Sequence, residues 1–252
     1  MACKIEFIFT TPEASGEMQS QSYAALIAGV GLQGDRYANG VGTYSVLKGS
    51  LVKGPHVSEP GRQVTLISAD EVDQAMTRCN LQLKNYGSLR RNIVVRGLSV
   101  RTLDLIGKAI RMGNDGAILF VHRHCVPCMY NERKNGIPGL RQAIWDEAGI
   151  NCEVIKGGTI RVGDTVHILT AEEYKSATGG ELPLVDPGTK GSGFFLHPKQ
   201  QTAAMVRESL EQRKKDFLQY SVSDPEGSAR AERSFASVGL SFWPPSCTNP
   251  QT

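Results

Sequence analysis

The stretch "KAIRMGNDGAILFVHRHCVPC", Lys108–Cys128, decides the fold class. "KAIRMG" and "AILFVH" are short aliphatic runs, and "GNDG" at 113–116 between them has the residues of a tight hairpin turn. The same signature recurs on either side. "KIEFIF", "RQVTLI", "RNIVVR", "CEVIK", "TIRV" and "DTVHIL" are rich in Ile and Val and bounded by turn residues. "KGG" at 156–158 and "GD" at 163–164 are expected to turn two further hairpins, making "KGGTIRVGDTV" a hairpin of the core. Short strands at this spacing predict a mainly β protein, a barrel or closed sheet rather than alternating β/α units.

Two short helices are expected to interrupt the strands. Ser68 followed by Glu71 makes a capping box, with Val72, Ala75, Met76 and Cys79 as the apolar stripe behind it. "GLRQAIWDEAG" is the second helix, stopped by Gly149. "NGVGTYSVLKGSLVKGPHVSEPGRQ" is long, glycine-rich and weakly patterned, and is read as a loop over one end of the sheet. The composition changes near residue 171, so residues 1–170 are read as one domain and 171–252 as an appendage. The appendage begins with linker-like "ATGGELPLVDPGTKGSG". A helix follows, "PKQQTAAMVRESLEQRKKDFLQY", with Val206, Leu210 and Phe217 on one face. The tail beyond it is read as largely disordered, with Phe242 and Trp243 docking locally.

The 252 residues, 40% apolar and 21% charged, are ordinary for a globular chain that folds without disulfides. A net charge of +3 is too slight to argue for nucleic acid. Lys4 and Glu6 interrupt the only apolar run near the N-terminus, which argues against a signal peptide. No run reaches the roughly 18 apolar residues of a membrane span, so no membrane partner is expected. Six cysteines scattered over the chain do not form a secreted disulfide framework, and a reducing compartment, by default the cytoplasm, is expected.

"CVPC" admits four readings. A structural zinc site needs four ligands, and His122, His124, Cys125 and Cys128 are crowded into seven residues. A thioredoxin-type redox pair should open a helix in an α/β unit, whereas these surroundings are β and "MYNERKNGIPG" is polar and quickly broken. Two buried structural thiols are the third reading. The fourth is one working thiolate, a soft metal ligand or nucleophile. If the strand stays extended, His122, His124 and Cys128 share a parity, although Pro127 should end it. Two other stretches carry candidates. "GLQGDRYANG" places Arg36 in a glycine-flanked turn, alternatively a plain Asp–Arg turn. "SLRRNIVVRG" puts Arg90, Asn92 and Val94 on one strand face, alternatively a strand entry with solvated arginines.

Taken in order, "GDRYA", "RQVTLIS", "LRRNIVVRGL", "IRMG", "CVPC" and "GGTIRVGDTV" resemble the MOSC domain, named for the C-terminal domain of molybdenum cofactor sulfurase. The resemblance runs from about residue 25 to residue 169 and extends to bacterial stand-alone MOSC proteins and the mitochondrial amidoxime reducing component. It implies a MOSC-type β-barrel that binds the molybdenum–pyranopterin cofactor (molybdopterin). By this resemblance Cys128 is the metal ligand and catalytic residue, and Arg36, Arg90 and Asn92 contact the cofactor, with Ser68 and Ser15 as weaker candidates. An oxidoreductase acting on N-oxygenated substrates, fed by a separate electron donor protein, is the function implied. The alternatives are a sulfur carrier holding a persulfide on Cys128, loaded by a sulfur donor protein, or a non-catalytic cofactor carrier. The chain has no room for the pyridoxal-phosphate desulfurase domain of a full sulfurase. The membrane anchor and N-terminal extension of the amidoxime-reducing proteins are also not expected.

Overall fold

The computed structural model describes residues 3–13, 16–39, 61–100 and 105–185, with the separate helical positions Ala229, Arg233 and Ala236. Ser15, most of the glycine-rich stretch and the helix and tail expected after residue 185 lie outside the described residues, those three positions excepted.

The strands are β1 Lys4–Thr10, β2 Gln19–Gln21, β3 Tyr23–Ile27, β4 Gly31–Leu32, β5 Val64–Ser68, β6 Ile93–Arg96, β7 Ala109–Met112, β8 Ala117–His124, β9 Ile150–Lys156, β10 Gly158–Arg161 and β11 Val166–Leu169. The helices are α1 Ala69–Arg78, α2 Met129–Asn135, α3 Leu140–Ala143 and α4 Ala171–Thr178, with a 3-10 turn at Tyr86–Leu89. The protein is therefore mainly β, as its aliphatic runs predict. One sheet has eight strands in the order β11-β7-β8-β9-β5-β6-β1-β2, and a second has β10-β3-β4. The first sheet curls back on itself. Lys4 bridges Thr165 at the start of β11, and Ile5 N donates to Asp164 O at 2.8 Å and Val166 N to Cys3 O at 3.0 Å. This is one bridge with flanking bonds rather than a full ladder.

Period-two patterning explains the layers. Leu66, Ile93, Val95, Leu119, Val121, Ile150 and Val154 turn one way into the main core. Phe9, Ile67 and Val94 turn the other way against Val72, Ala75 and Met76 of α1 and Leu140 and Ala143 of α3. β5 is buried along its whole length, the continuous apolar pattern expected of a strand covered on both faces. It pairs in parallel with β6, so the chain between them must cross over, and α1 makes that crossing.

Several sequence expectations need correction. Ser68 caps α1 by accepting from Glu71 N at 3.4 Å, but the Glu71 carboxylate does not complete the box. It accepts instead from Ser99 Oγ at 2.5 Å and Val100 N at 3.3 Å, tying α1 to the chain after β6. Cys79 is the exposed C-cap rather than part of the buried stripe. The helix expected over 139–149 shortens to the four residues of α3. "KGG" turns no hairpin: β9 and β10 belong to different sheets. Gly157 lets the chain pass close beneath β3, because a Cβ there would lie 2.8 Å from Leu26 O. Likewise β10 pairs with β3 and β11 with β7, so "GD" turns the chain without pairing its flanks.

Candidate functional site

Three segments meet beside the CVPC stretch. The first follows β4. Asp35, fully buried, fixes it by accepting from Thr11 N at 3.2 Å, Tyr37 N at 3.1 Å and Arg36 Nη1 at 3.4 Å. The Asp–Arg turn is thus present, yet Arg36 does more than close it. Its Nη2 donates to Arg90 O at 3.4 Å, its Nη1 to Met18 Sδ at 3.2 Å, and its guanidinium lies 4.4 Å from the Tyr37 ring centre. Burial works against the Arg36 charge, but Tyr37 and Asp35 more than offset it, so its pKa is raised.

The second segment enters β6. Arg90 is not a solvated strand residue: it is buried and caps the 3-10 turn in the left-handed conformation, φ +61°. Its Nη1 donates to Gly16 O at 2.6 Å. Burial and the neighbouring Arg36 pull its pKa down to about 10, against Tyr130, Tyr37 and Asp35, which favour the charge. Asn92 sits just ahead of β6 and knots three strands. Its Oδ1 accepts from Thr65 N at 3.1 Å and Thr65 Oγ1 at 2.9 Å, and its Nδ2 donates to Phe9 O at 3.3 Å. Asn92 thereby holds the strand end from which Arg90 projects.

The third segment is the CVPC stretch and α2. β8 ends at His124, one residue ahead of Cys125, and its ladder is already broken between Val121 and Arg123. The parity of His122, His124 and Cys128 therefore does not carry through. Cys125 N donates to Gly149 O at 2.8 Å, and Cys125 is buried. Burial pushes its thiol up, with Arg91 and Arg123 opposing. Cys128, half-buried, is the N-cap of α2. The helix then carries Tyr130 and Lys134, one turn apart on one face, toward Arg36 and Arg90. Asn131 and Asn135 pin α2 by donating from Nδ2 to Ser88 O at 3.2 and 3.1 Å. His122 is held apart, its Nε2 2.8 Å from Glu153 Oε2.

The structure thus brings together Arg36, Arg90 and the helix opened by Cys128, with Asn92 behind them. It does not bring Ser68 there. Ser68 caps α1 three residues along β5 from the Thr65 that binds Asn92, roughly 10 Å away at the strand rise. Ser15 lies outside the described residues. Tyr37, Asp35, Tyr130 and Lys134 are neighbours that the sequence reading does not name, although the spacing of Tyr130 and Lys134 marks one helix face. All five cysteines among the described residues are free. No group of three or more His, Cys, Asp or Glu among the described residues could hold a metal ion. No helix among them is long and apolar enough to cross a membrane.

The geometry predicts thiol reactivity. A maleimide at neutral pH should label Cys79 and Cys128 quickly. Cys125 and Cys152, both buried with their thiols pushed up by burial, should react only on unfolding. Peptide mass spectrometry reads this directly, and rapid native labelling of Cys125 would contradict the packing described.

A mainly β domain whose half-buried strand-end cysteine lies beside a buried arginine pair defines a MOSC-type protein. The chain carries a MOSC domain: residues 53–167 match the model of that family. Arg36 precedes the matched range. The solved structure of the YuaD protein from Bacillus subtilis is similar, at 20% identity and a TM-score of 0.54, over 68% of this chain and 98% of that one. YiiM from Geobacillus stearothermophilus matches at 13% identity and a TM-score of 0.48, over 85% of this chain and 98% of that one. YiiM from Escherichia coli matches at 14% and 0.43, over 83% and 92%. No curated protein sequence matches the chain.

Proposed function

We propose that this domain binds the molybdenum–pyranopterin cofactor, with Cys128 as the metal's protein ligand and Arg36 and Arg90 on the cofactor's anionic part. The observation that carries the reading is a soft, half-buried thiol beside two buried guanidiniums, without a surrounding cluster of metal-binding side chains among the described residues. Such a set suits a metal that arrives with ligands and negative charge of its own rather than a bare ion. When bound, the cofactor would supply two-electron redox chemistry, and an oxidoreductase acting on N-oxygenated compounds with a separate electron donor protein is the activity we favour. The protein's part is ligation by Cys128, charge neutralisation by the arginines and positioning of Arg90 by Asn92. A second reading has one observation in its favour. Cys128 is also the accessible thiol of its pair, as a persulfide carrier loaded by a sulfur donor would require. About one added sulfur on Cys128 after incubation with a desulfurase would favour it.

The test is metal analysis and pterin fluorescence on protein made in a molybdenum-replete host. Near-stoichiometric molybdenum with pterin is expected, and neither being present would remove the proposal. Arg90→Ala should weaken cofactor retention about 10–150-fold, the value of a charge-assisted hydrogen bond, while leaving a cooperative melt.

A further inference from the structure

We infer that Lys134 is the third arm of the anion cradle formed with Arg36 and Arg90, and that it sets a preference for a doubly charged phosphate-type group; this rests on the anionic-cofactor reading above. Arg36 comes from the turn after β4, Arg90 from the 3-10 turn before β6, and Lys134 from α2. α2 is docked by Asn131 and Asn135 on the carbonyl of Ser88, two residues before Arg90, so the register of Lys134 against Arg90 is fixed. Arg90 in turn is fixed by Gly16 O, and Arg36 by Asp35 and Arg90 O. The three like charges act on one another: Arg36 depresses Arg90, and Arg90, after burial, depresses Lys134.

Two carboxylates stand near. Asp35 already accepts from Thr11 N, Tyr37 N and Arg36. Glu17, next to the Gly16 that binds Arg90, favours the Lys134 charge. Three cations against these two carboxylates leave a positive excess held by rigid packing. A dianionic tetrahedral group supplies the missing charge and enough acceptor oxygens for all three arms. Arg brings forked donors and Lys a compact point charge, the combination suited to phosphate. A singly charged carboxylate leaves one arm unanswered.

The experiment titrates the full chain with inorganic phosphate, sulfate and acetate at matched ionic strength and pH 7.5, following heat of binding and melting temperature. Phosphate and sulfate should bind and raise the melting temperature of the parent, and acetate should not. Lys134→Gln should lose at least about tenfold in phosphate affinity. It should melt no lower than the parent without phosphate, because it removes a repulsion. Lys134→Arg should restore most of the affinity, and Lys156→Gln, changing an exposed lysine of β9, should bind as the parent does. Equal phosphate affinity in the parent and Lys134→Gln would overturn the role of Lys134, as would acetate binding as well as phosphate. Phosphate binding that depends on Lys134, in protein that never retains molybdenum or pterin, would instead overturn the cofactor reading and leave the cradle standing. No phosphate binding by the parent would end the inference.

Discussion

Replacing Gly149 by alanine should cost this domain about 3 kcal/mol or more, a fall in melting temperature of roughly 6–12 °C at this size. Gly149 has φ +88°, and a Cβ there would lie 2.3 Å from Leu66 O and 3.1 Å from Ile67 Cβ. The left-handed backbone alone costs a side chain about 1–2 kcal/mol. The overlap adds to it because β5, whose carbonyl is struck, is buried along its length and has no room to retreat. Gly163→Ala is the control. Its φ is +93°, but nothing lies within 4 Å of the added carbon, so it should show the backbone part alone. Because Gly149 O accepts from Cys125 N, the variant should also expose Cys125 to maleimide before global unfolding. Equal melting losses in the two variants would show that the close approach to β5 does not matter.

Cys128→Ser should abolish molybdenum retention, while Cys125→Ala should keep most of it. Serine offers a hard oxygen where thiolate offers a soft sulfur, and the accessible thiol is Cys128. The Cys125 change acts through packing. Its thiol is buried, so alanine trims the core and should lower the melting temperature modestly. A zinc-structural pair makes the opposite forecast: either change would destabilise the fold, the parent would contain zinc, and a chelator would lower its melting temperature. Molybdenum, zinc and melting temperature measured on the parent and both variants separate these outcomes. Equal metal loss in both variants would remove Cys128 from its proposed role.

The aliphatic runs were legible because β-branched alternation and glycine turns are local signals, and β1 and β5 to β11 all lie where those runs are. β2, β3 and β4 were not, because "QSQ" is polar and "YAALI" relies on alanines and one leucine for its inward face. Gly157 shows a different limit. A glycine that marks a turn and one that admits a neighbouring backbone read alike, and only the partner strand distinguishes them. α2 was hidden by its polar composition, since it docks through asparagine amides rather than an apolar stripe. α4 was legible in principle: Thr170 and Glu173 form a complete capping box, and Tyr174 packs with Ala109 and Leu169. At the site, the arginines were visible as motifs, but burial of Arg90 and the company of Tyr130 and Lys134 arise only when α2 folds back on the 3-10 turn.

The bridge between Lys4 and Thr165 joins positions 161 apart in the chain, since 165 − 4 = 161. β3 likewise waits for β10, and β5 for β9. Few strands find their neighbours in adjacent sequence, so loop closure must be spent before most pairings form, and folding of this topology is slow. During synthesis β1 emerges first and meets its last partner only when β11 has left the ribosome. Until then the nascent chain carries open strand edges, and crowding by other unfinished chains is the hazard it must outlast.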